Sequence, residues 1–194
     1  MPSDLILQNI AKYIKLTPEE SNYFLELLQP VTLKRKDILL KSGQVCKHSA
    51  FVTAGCLRGY NVDENGFEHV LNFAPVGWWM ADMYSLLSQK PGTLNIEAID
   101  NTEMLLLSKS KQEELYDKIP KFERFFRIIT ENSLVAYQQR LMDNLSLTAE
   151  ERYHNFCKRY PTLIHALPKK DIATYIGVTP EFLSRMLGKM LKQR

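Results

Sequence analysis

The sequence predicts an α+β protein in which an antiparallel β-structure lies between helical segments. Apolar residues recur at three- and four-residue spacing up to about residue 28 and again after Ser108, as on one face of a helix. Between Val31 and Glu103, short runs rich in Val, Ile, Phe and Tyr alternate with turns that contain glycine. A chain of 194 residues is also long enough for two modest domains.

The N-terminal part should form two short helices followed by the β-structure. The second helix should begin after Thr17, a good N-cap residue that is followed by Pro18 at the first helical position. The strands that follow predict a sandwich or roll of about seventy residues. Its clearest hairpin turn is Asn65-Gly66, because both residues accept the positive φ angles of a two-residue turn.

A long helix is predicted from Pro120 to about residue 145. Its apolar residues, which cover more than one face, are Phe122, Phe125, Phe126, Ile129, Leu134, Val135, Leu141 and Met142. A helix that packs only on its own domain needs one apolar stripe, so the second stripe predicts a homodimer interface along residues 120–145. The alternative is a helix wedged between two domains of one chain. A capping box of Thr148 and Glu151 then starts a further helix, and the domain boundary is expected near residues 144–146.

The charge is unevenly distributed along the chain. Residues 146–194 contain nine Lys or Arg against four Asp or Glu, a net charge of +5, which leaves −2 for the remainder. A basic module on a slightly acidic body is typical of a protein that binds a polyanion such as nucleic acid. The N-terminus lacks the basic lead and apolar run of an export signal, and no window is apolar enough for a membrane helix. We therefore expect a cytoplasmic protein with no membrane partner.

The segment KKDIATYIGVTPEFLSRMLGKMLKQR, residues 169–194, carries the functional prediction. A short helix with one apolar face should end at Gly177, since glycine adopts the left-handed conformation that terminates helices. A second helix should start after the N-cap residue Thr179, with Pro180 at its first position. Two helices joined by a three-residue turn that contains glycine form a helix-turn-helix, whose second helix enters the major groove of DNA.

The second helix of this motif should present polar side chains to DNA. Arg185 can make a bidentate contact to guanine, and Glu181 can accept a hydrogen bond from cytosine. Ser184 or Thr179 can reach a base or a phosphate. The candidates for phosphate contacts are Lys169, Lys170, Lys189 and Lys192. The alternative without DNA is a surface salt bridge, because Glu181 and Arg185 also have i,i+4 spacing.

The segments AGCLRGY, NGFEHV, TAEERYHNF and IATYIGVTPEFLSR, in this order, resemble the Crp/Fnr superfamily of bacterial transcription regulators. The resemblance covers nearly the whole chain. It places the family's base-reading glutamate, serine and arginine on Glu181, Ser184 and Arg185. Pro180 stands where the family often has an arginine before that glutamate, a departure that affects one base or phosphate contact.

The resemblance implies a domain organisation and a set of partners. Residues 1–119 would form a cyclic-nucleotide-binding-like β-roll, or double-stranded β-helix, that acts as a sensor. Residues 120–145 would form the dimerisation helix, and residues 146–194 a winged helix-turn-helix. The implied partners are a palindromic operator in double-stranded DNA, a second copy of the chain, and RNA polymerase.

The same resemblance allows a test for a cyclic nucleotide. Family members that bind cyclic AMP hold the ribose with a glycine-glutamate pair and neutralise the cyclic phosphate with an arginine. In the matching segment of this sequence, Ala81 and Asp82 lie near the glycine-glutamate pair, and Gly92 replaces the arginine. A buried phosphodiester without a cation is poorly compensated, so we expect no cyclic AMP binding and predict no cofactor.

A different effector pocket remains a hypothesis. The apolar and aromatic segment that contains Trp79, Asp82 and Met83 could accept an effector without a phosphate, although such residues are more often plain core. The alternative function of the whole chain is therefore a small-molecule sensor whose C-terminal domain contacts a protein partner. An enzyme is not indicated, since the sequence contains no Gly-rich phosphate loop and no nucleophile elbow.

No metal site is predicted. The cysteines, which are Cys46, Cys56 and Cys157, lack the spacing of a thiolate site, and the N-terminal cysteine cluster of iron-sulfur members of the family is absent. Cys46 and His48 could share one face of a strand, but a metal would need further ligands that the sequence does not offer.

Overall fold

The computed structural model describes residues 1–192, with side chains up to Leu191. In chain order, its elements are α1 (Pro2–Ala11), α2 (Pro18–Glu26), β1 (Gln29–Leu33), β2 (Ile38–Leu40), β3 (His48–Ala54), β4 (Cys56–Val62), β5 (Glu68–Pro75), β6 (Trp79–Met80), α3 (Met83–Ser88), β7 (Asn95–Ala98), β8 (Thr102–Ser108), α4 (Lys109–Lys118), α5 (Lys121–Ser146), α6 (Ala149–Arg159), α7 (Lys169–Ile176) and α8 (Pro180–Lys192). This order confirms the predicted α+β class with a β-region between helices.

The strands form two four-stranded sheets, in the orders β1-β8-β3-β6 and β2-β7-β4-β5. The first and last strands of the region pair antiparallel, with Gln29 opposite Leu106 and Leu33 opposite Thr102. Because β1 is an edge strand, its Pro30 removes no hydrogen bond from the interior of the sheet. The pairing of strands that are distant in the chain confirms the predicted β-roll.

The turn between β4 and β5 differs from the predicted two-residue turn. Only Gly66 has a positive φ, at 81°, whereas Asn65 does not. The Oδ1 atom of Asp63 accepts hydrogen bonds from the backbone N–H groups of Asn65 and Phe67, at 2.9 and 3.0 Å. Since this carboxylate satisfies backbone donors in the turn, only one residue needs the left-handed conformation.

Residues 1–59 and 73–132 form the first compact unit, which contains two apolar clusters. One cluster holds the first half of α5 against α1, α2 and α4. Its rings include Phe24 stacked on Phe122 at 4.9 Å and Phe125 against Phe126 at 5.1 Å. The aromatic residues of the predicted long helix are therefore core of this unit, and the exposed apolar residues of α5 begin only at Leu134.

Residues 60–72 and 133–194 form the second compact unit, described up to residue 192. This second unit, called the helical unit below, also contains the tip of the β4–β5 hairpin. The division between the units falls within α5 and therefore differs from the predicted domain boundaries. The contacts inside this unit explain the assignment. Arg140 of α5 donates hydrogen bonds to the carbonyl oxygens of Val70 and Leu71, and the side-chain amide of Asn72 donates to the Tyr137 hydroxyl at 2.8 Å.

The start of α6 confirms the predicted capping box. The backbone N–H of Thr148 donates to Oε2 of Glu151 at 2.8 Å, and the N–H of Glu151 donates to Oγ1 of Thr148 at 3.3 Å. These two bonds satisfy backbone donors that the first turn of a helix leaves without a partner.

The wing included in the predicted fold is not found in residues 1–192, where no strand follows β8. The chain between α6 and α7 instead forms consecutive turns, in which the N–H groups of Ala166 and Leu167 donate to the carbonyl of Leu163. Backbone groups that are bonded within a turn cannot pair with a neighbouring strand, so this connection does not form a hairpin.

Candidate nucleic-acid interface

The first helix of the helix-turn-helix, α7, ends as predicted. Ile172, Ala173 and Ile176 are buried, and Gly177 follows with a φ of 73°. The N–H of Val178 donates to the carbonyl of Ala173 at 2.9 Å, which is the closing bond of a Schellman motif. This bond turns the chain directly from α7 toward the next helix.

The second helix, α8, begins at the predicted position. Oγ1 of Thr179 accepts a hydrogen bond from the N–H of Phe182 at 3.2 Å, and Pro180 is the first helical residue. The side chain of Leu183 is fully buried. The cap and this apolar anchor fix which face of α8 points away from the core.

The outward face of α8 carries the side chains that the sequence predicts for base and phosphate contacts. Glu181, Ser184, Arg185 and Lys189 are all exposed. The spacing of three and four residues places them on one side of the helix. In the part of the chain that the structure describes, no ion pair joins Glu181 to Arg185, so the predicted salt-bridge alternative is not formed.

The remaining lysine candidates lie in different surroundings. Lys169 and Lys170 are exposed at the start of α7. Nζ of Lys170 lies 3.2 Å from Oε2 of Glu68 at the hairpin tip, so this lysine forms an ion pair within the unit. The side chain of Lys192 lies outside the described residues.

Sequence reasoning missed Arg140, which holds the helical unit together. Its guanidinium donates to the carbonyls of Val70, Leu71 and Tyr175, and it lies 4.1 Å above the ring of Tyr175. Burial lowers the pKa of Arg140 below its usual value. The sequence shows only a charged residue among other polar residues of the long helix, such as Gln139 and Asp143, and this pattern identifies no partner for Arg140.

The residues of the predicted effector pocket, which are Trp79, Asp82 and Met83, lie in different surroundings. Trp79 packs on Phe51 at 5.2 Å in one apolar cluster, and its Nε1 donates to Oδ1 of Asn9 at 3.3 Å. Met83 packs against the other apolar cluster. Asp82 is buried as the N-cap residue of α3. An effector pocket at these residues stays a prediction, since each of them already has a structural role.

The cyclic-nucleotide cassette can be tested against the same residues. Oδ1 of Asp82 accepts a hydrogen bond from the N–H of Ser85 at 3.1 Å. A Cβ atom at Gly92 would overlap Oδ2 of Asp82 and lie 3.0 Å from Cβ of Ser85. The Asp82 side chain therefore lies where a side chain at residue 92 would start. The absence of cyclic AMP binding stays a prediction.

The cysteines are the candidate thiolate ligands of an iron-sulfur cluster. Cys46 and Cys56 are buried and Cys157 is half-buried, and all of them are free thiols. Burial raises the pKa of the Cys56 thiol to about 12. Sγ of Cys46 donates to the carbonyl of His48 at 3.3 Å. Within residues 1–192, no three His, Cys, Asp or Glu side chains are placed to hold a metal ion.

Known proteins with similar sequences are regulators. Residues 30–118 match the family model of the cyclic nucleotide-binding domain. The chain is 22% identical over 171 residues to the anaerobic regulatory protein of Haemophilus influenzae, which covers 82% of this chain and 66% of that protein. It is 23% identical over 195 residues to the fumarate and nitrate reduction regulatory protein of Vibrio cholerae, which covers 92% of this chain and 76% of that protein. The chain thus spans just under two thirds of the length of the Haemophilus relative.

Among solved structures, FixK2 from Bradyrhizobium japonicum has the same fold, with a TM-score of 0.75 and 21% identity over 86% of this chain and 85% of that chain. No helix in residues 1–192 combines the length and the apolarity needed to cross a lipid bilayer. The chain combines a β-roll, a long helix and a C-terminal helix-turn-helix. It is similar in sequence to these regulatory proteins and in fold to FixK2, and residues 30–118 match the cyclic nucleotide-binding domain.

Proposed function

We propose that this protein is a sequence-specific DNA-binding transcription regulator of the Crp/Fnr type. The observation that carries the proposal is the orientation of α8. Its inner side is anchored by the fully buried Leu183, while Glu181, Ser184 and Arg185 are exposed together on its outer side. An arginine and a glutamate on an exposed helix face are suited to guanine and cytosine edges in the major groove.

The regulator acts as a homodimer in this proposal. Five apolar side chains in the second half of α5 are between 52% and 75% exposed, namely Leu134, Val135, Leu141, Met142 and Leu145. A continuous apolar stripe on a helix is stable when a second copy of the helix covers it. The two-fold symmetry of such a dimer would place two copies of α8 about 34 Å apart on a palindromic operator. Contact with RNA polymerase, which the family resemblance implies, and a cytoplasmic location, which the sequence pattern of the N-terminus indicates, remain predictions.

Neither cyclic AMP nor an iron-sulfur cluster is the signal in this proposal. Gly92 offers no cation to a cyclic phosphate, and a side chain at this position would overlap the Asp82 side chain. Within residues 1–192, no three potential metal ligands are grouped, and the cysteines are free thiols. Selective DNA binding should therefore not depend on added cyclic AMP. This is measured by comparing operator affinity with and without the nucleotide, and a large gain in affinity would contradict it.

The first experiment is selection of bound sequences from a pool of random duplex DNA. It should be done on the full chain at near-physiological salt, because non-specific binding is strongly salt-dependent. We expect enrichment of a palindromic site. Absence of any enriched sequence, together with weak binding at every salt concentration, would contradict DNA reading and favour a sensor whose C-terminal domain contacts a protein.

Arg185→Ala tests the base-reading assignment. We expect binding to the selected site to weaken by about 1–3 kcal/mol and specificity to relax at one base pair, because one bidentate guanine contact is lost. Lys189→Ala should weaken binding to selected and random DNA alike, because a phosphate contact carries no sequence information. The exposed Arg124 of α5 provides a matched control, since Arg124→Gln removes one charge in the first unit. Equal losses on selected and random DNA for Arg185→Ala would show that it does not read a base.

A further inference from the structure

A basic groove lies in the helical unit, and none of its lining residues belongs to α8. It has a volume of about 490 Å³ and is formed by α5, α6 and α7. Its lining contains four basic side chains and a single carboxylate. The basic residues are Arg140, Arg152, Lys158 and Arg159, and the acid is Asp143. A groove of this size can hold a small molecule, and its net charge favours an anion.

The carboxylate in this groove is hydrogen-bonded to side-chain amides. Asp143 accepts hydrogen bonds from the side-chain amides of Gln139 and Asn155, both at 2.9 Å. Among the described residues, no ion pair joins Asp143 to a basic side chain of the lining. The acid of the groove is therefore bonded to amides, and the basic side chains of the lining outnumber it by four to one.

Two of the lining arginines carry a buried donor without an acceptor. Arg140 uses its terminal nitrogens on three backbone carbonyls, and its buried Nε–H has no acceptor in the described part of the chain. Arg152 donates from Nη1 to the carbonyl of Asn144 at 3.2 Å, and its buried Nε–H likewise has no acceptor there. Buried donors without a partner are rare in proteins because they lose their hydration, so such groups point to a ligand or a water molecule.

We propose that this groove binds a small phosphate-bearing anion and that the anion regulates DNA reading, an inference that rests on the proposed function. Arginine is suited to phosphate because its donors form charge-assisted and bidentate hydrogen bonds. The groove reaches Tyr175 and Ile176 at the end of α7, directly before the turn at Gly177. An anion held there contacts the long helix and the first helix of the reading motif at once, so its binding is coupled to the orientation of α8.

Binding is tested with inorganic pyrophosphate by isothermal titration calorimetry on the full chain, without DNA and at constant ionic strength. We expect saturable binding to the wild-type protein. The double variant Arg152→Gln/Lys158→Gln should bind at least about tenfold more weakly, because charge-assisted hydrogen bonds contribute more than neutral ones. Arg124→Gln should bind like wild type, since Arg124 is exposed on the same helix and does not line the groove.

The single variant Lys158→Gln guards against loss of folding, because the Lys158 side chain is exposed. Its melting temperature should equal that of wild type while its affinity for pyrophosphate falls. No saturable binding by wild type, or equal affinities for wild type, the double variant and Arg124→Gln, would overturn the proposal.

A second experiment, DNA binding by the double variant, shows whether the groove binds a small anion or a phosphate of the DNA backbone. If the double variant binds pyrophosphate like wild type but loses affinity for selected and random DNA equally, these side chains contact DNA and the proposal is wrong. If the proposal holds, saturating pyrophosphate changes the operator affinity of wild type and leaves that of the double variant unchanged. Since the calorimetry contains no DNA, failure of DNA reading and failure of anion binding are distinguished.

Discussion

The turn after α7 and the segment after α3 both depend on a glycine, but for different physical reasons. At Gly177 the φ of 73° is left-handed, and a Cβ atom would meet nothing closer than Oδ1 of Asn144 at 4.0 Å. Backbone conformation therefore requires glycine there. At Gly92 a Cβ atom would overlap the carboxylate of Asp82, so space requires glycine. The first requirement is local in the chain, whereas the second depends on how a buried side chain ten residues earlier is placed.

Gly92→Ala should give the largest loss of stability. The added methyl group forces the Asp82 carboxylate away from the N–H of Ser85, which it caps, and overpacking of this kind costs about 1–3 kcal/mol. Chemical denaturation measures the change. Gly92→Arg has the same Cβ and should not create cyclic AMP binding, which titration calorimetry checks directly.

A double-mutant cycle sharpens this assignment. In the background of Asp82→Ala, the cost of Gly92→Ala should fall clearly below its cost in wild type, because the overlapping carboxylate is gone. Equal costs in the two backgrounds would mean that Asp82 is not what excludes a side chain at residue 92.

Gly177→Ala should give a smaller loss, of about 1–2 kcal/mol, because an L-residue is strained in the left-handed conformation although space is available. Denaturation of the purified variant measures this loss. Gly177→Asn should lose less, since asparagine tolerates this conformation. If the Gly177→Ala variant were as stable as the wild-type protein, the turn would not require a residue in the left-handed conformation. The contrast with Gly92 would then disappear.

The smallest effect concerns the capping box of α6. Hydrogen bonds from the backbone and the side chain of Thr148 lower the pKa of Glu151 from its ordinary value of 4.5. A carboxylate with a lowered pKa in the folded state stabilises the protein above pH 4.5, and this stabilisation is lost as the pH falls through the folded pKa. Glu151→Gln should therefore lack this part of the acid dependence when melting temperatures are compared between pH 6 and pH 3. If Glu151→Gln and wild type showed the same dependence of melting temperature on pH, Glu151 would not contribute to the acid dependence of stability.

The helix-turn-helix could be predicted almost residue by residue, since its signals lie close together in the chain. Gly177, Thr179 and Pro180 act through conformations and hydrogen bonds within a few residues, and the burial of Leu183 follows from helical periodicity. The hairpin tip was predicted less well. The position of the turn was predicted correctly, but hydrogen bonds to the Asp63 carboxylate change the type of the turn. The residue type alone does not determine which backbone groups such a side chain binds.

The long helix separates what sequence periodicity can and cannot predict. Apolar residues on several faces predicted more than one partner for α5, and the structure shows one of them, the apolar core of the first unit. Periodicity could not assign each partner, and the structure buries Phe122 and Phe125 in the first unit while Leu134 and Leu145 remain exposed. The predicted dimer surface is therefore restricted to the second half of the helix.

The α+β class, the limits of the two helices of the helix-turn-helix and the outward side chains of α8 could be predicted from the sequence, because all of these follow from local conformation and helical period. The sequence could not predict that Asp82 lies against Gly92, that Arg140 binds the hairpin tip, or that four basic side chains line one groove. The physical reason is that these contacts join residues far apart in the chain. Their energies depend on burial and on the available donors and acceptors, which no single segment specifies.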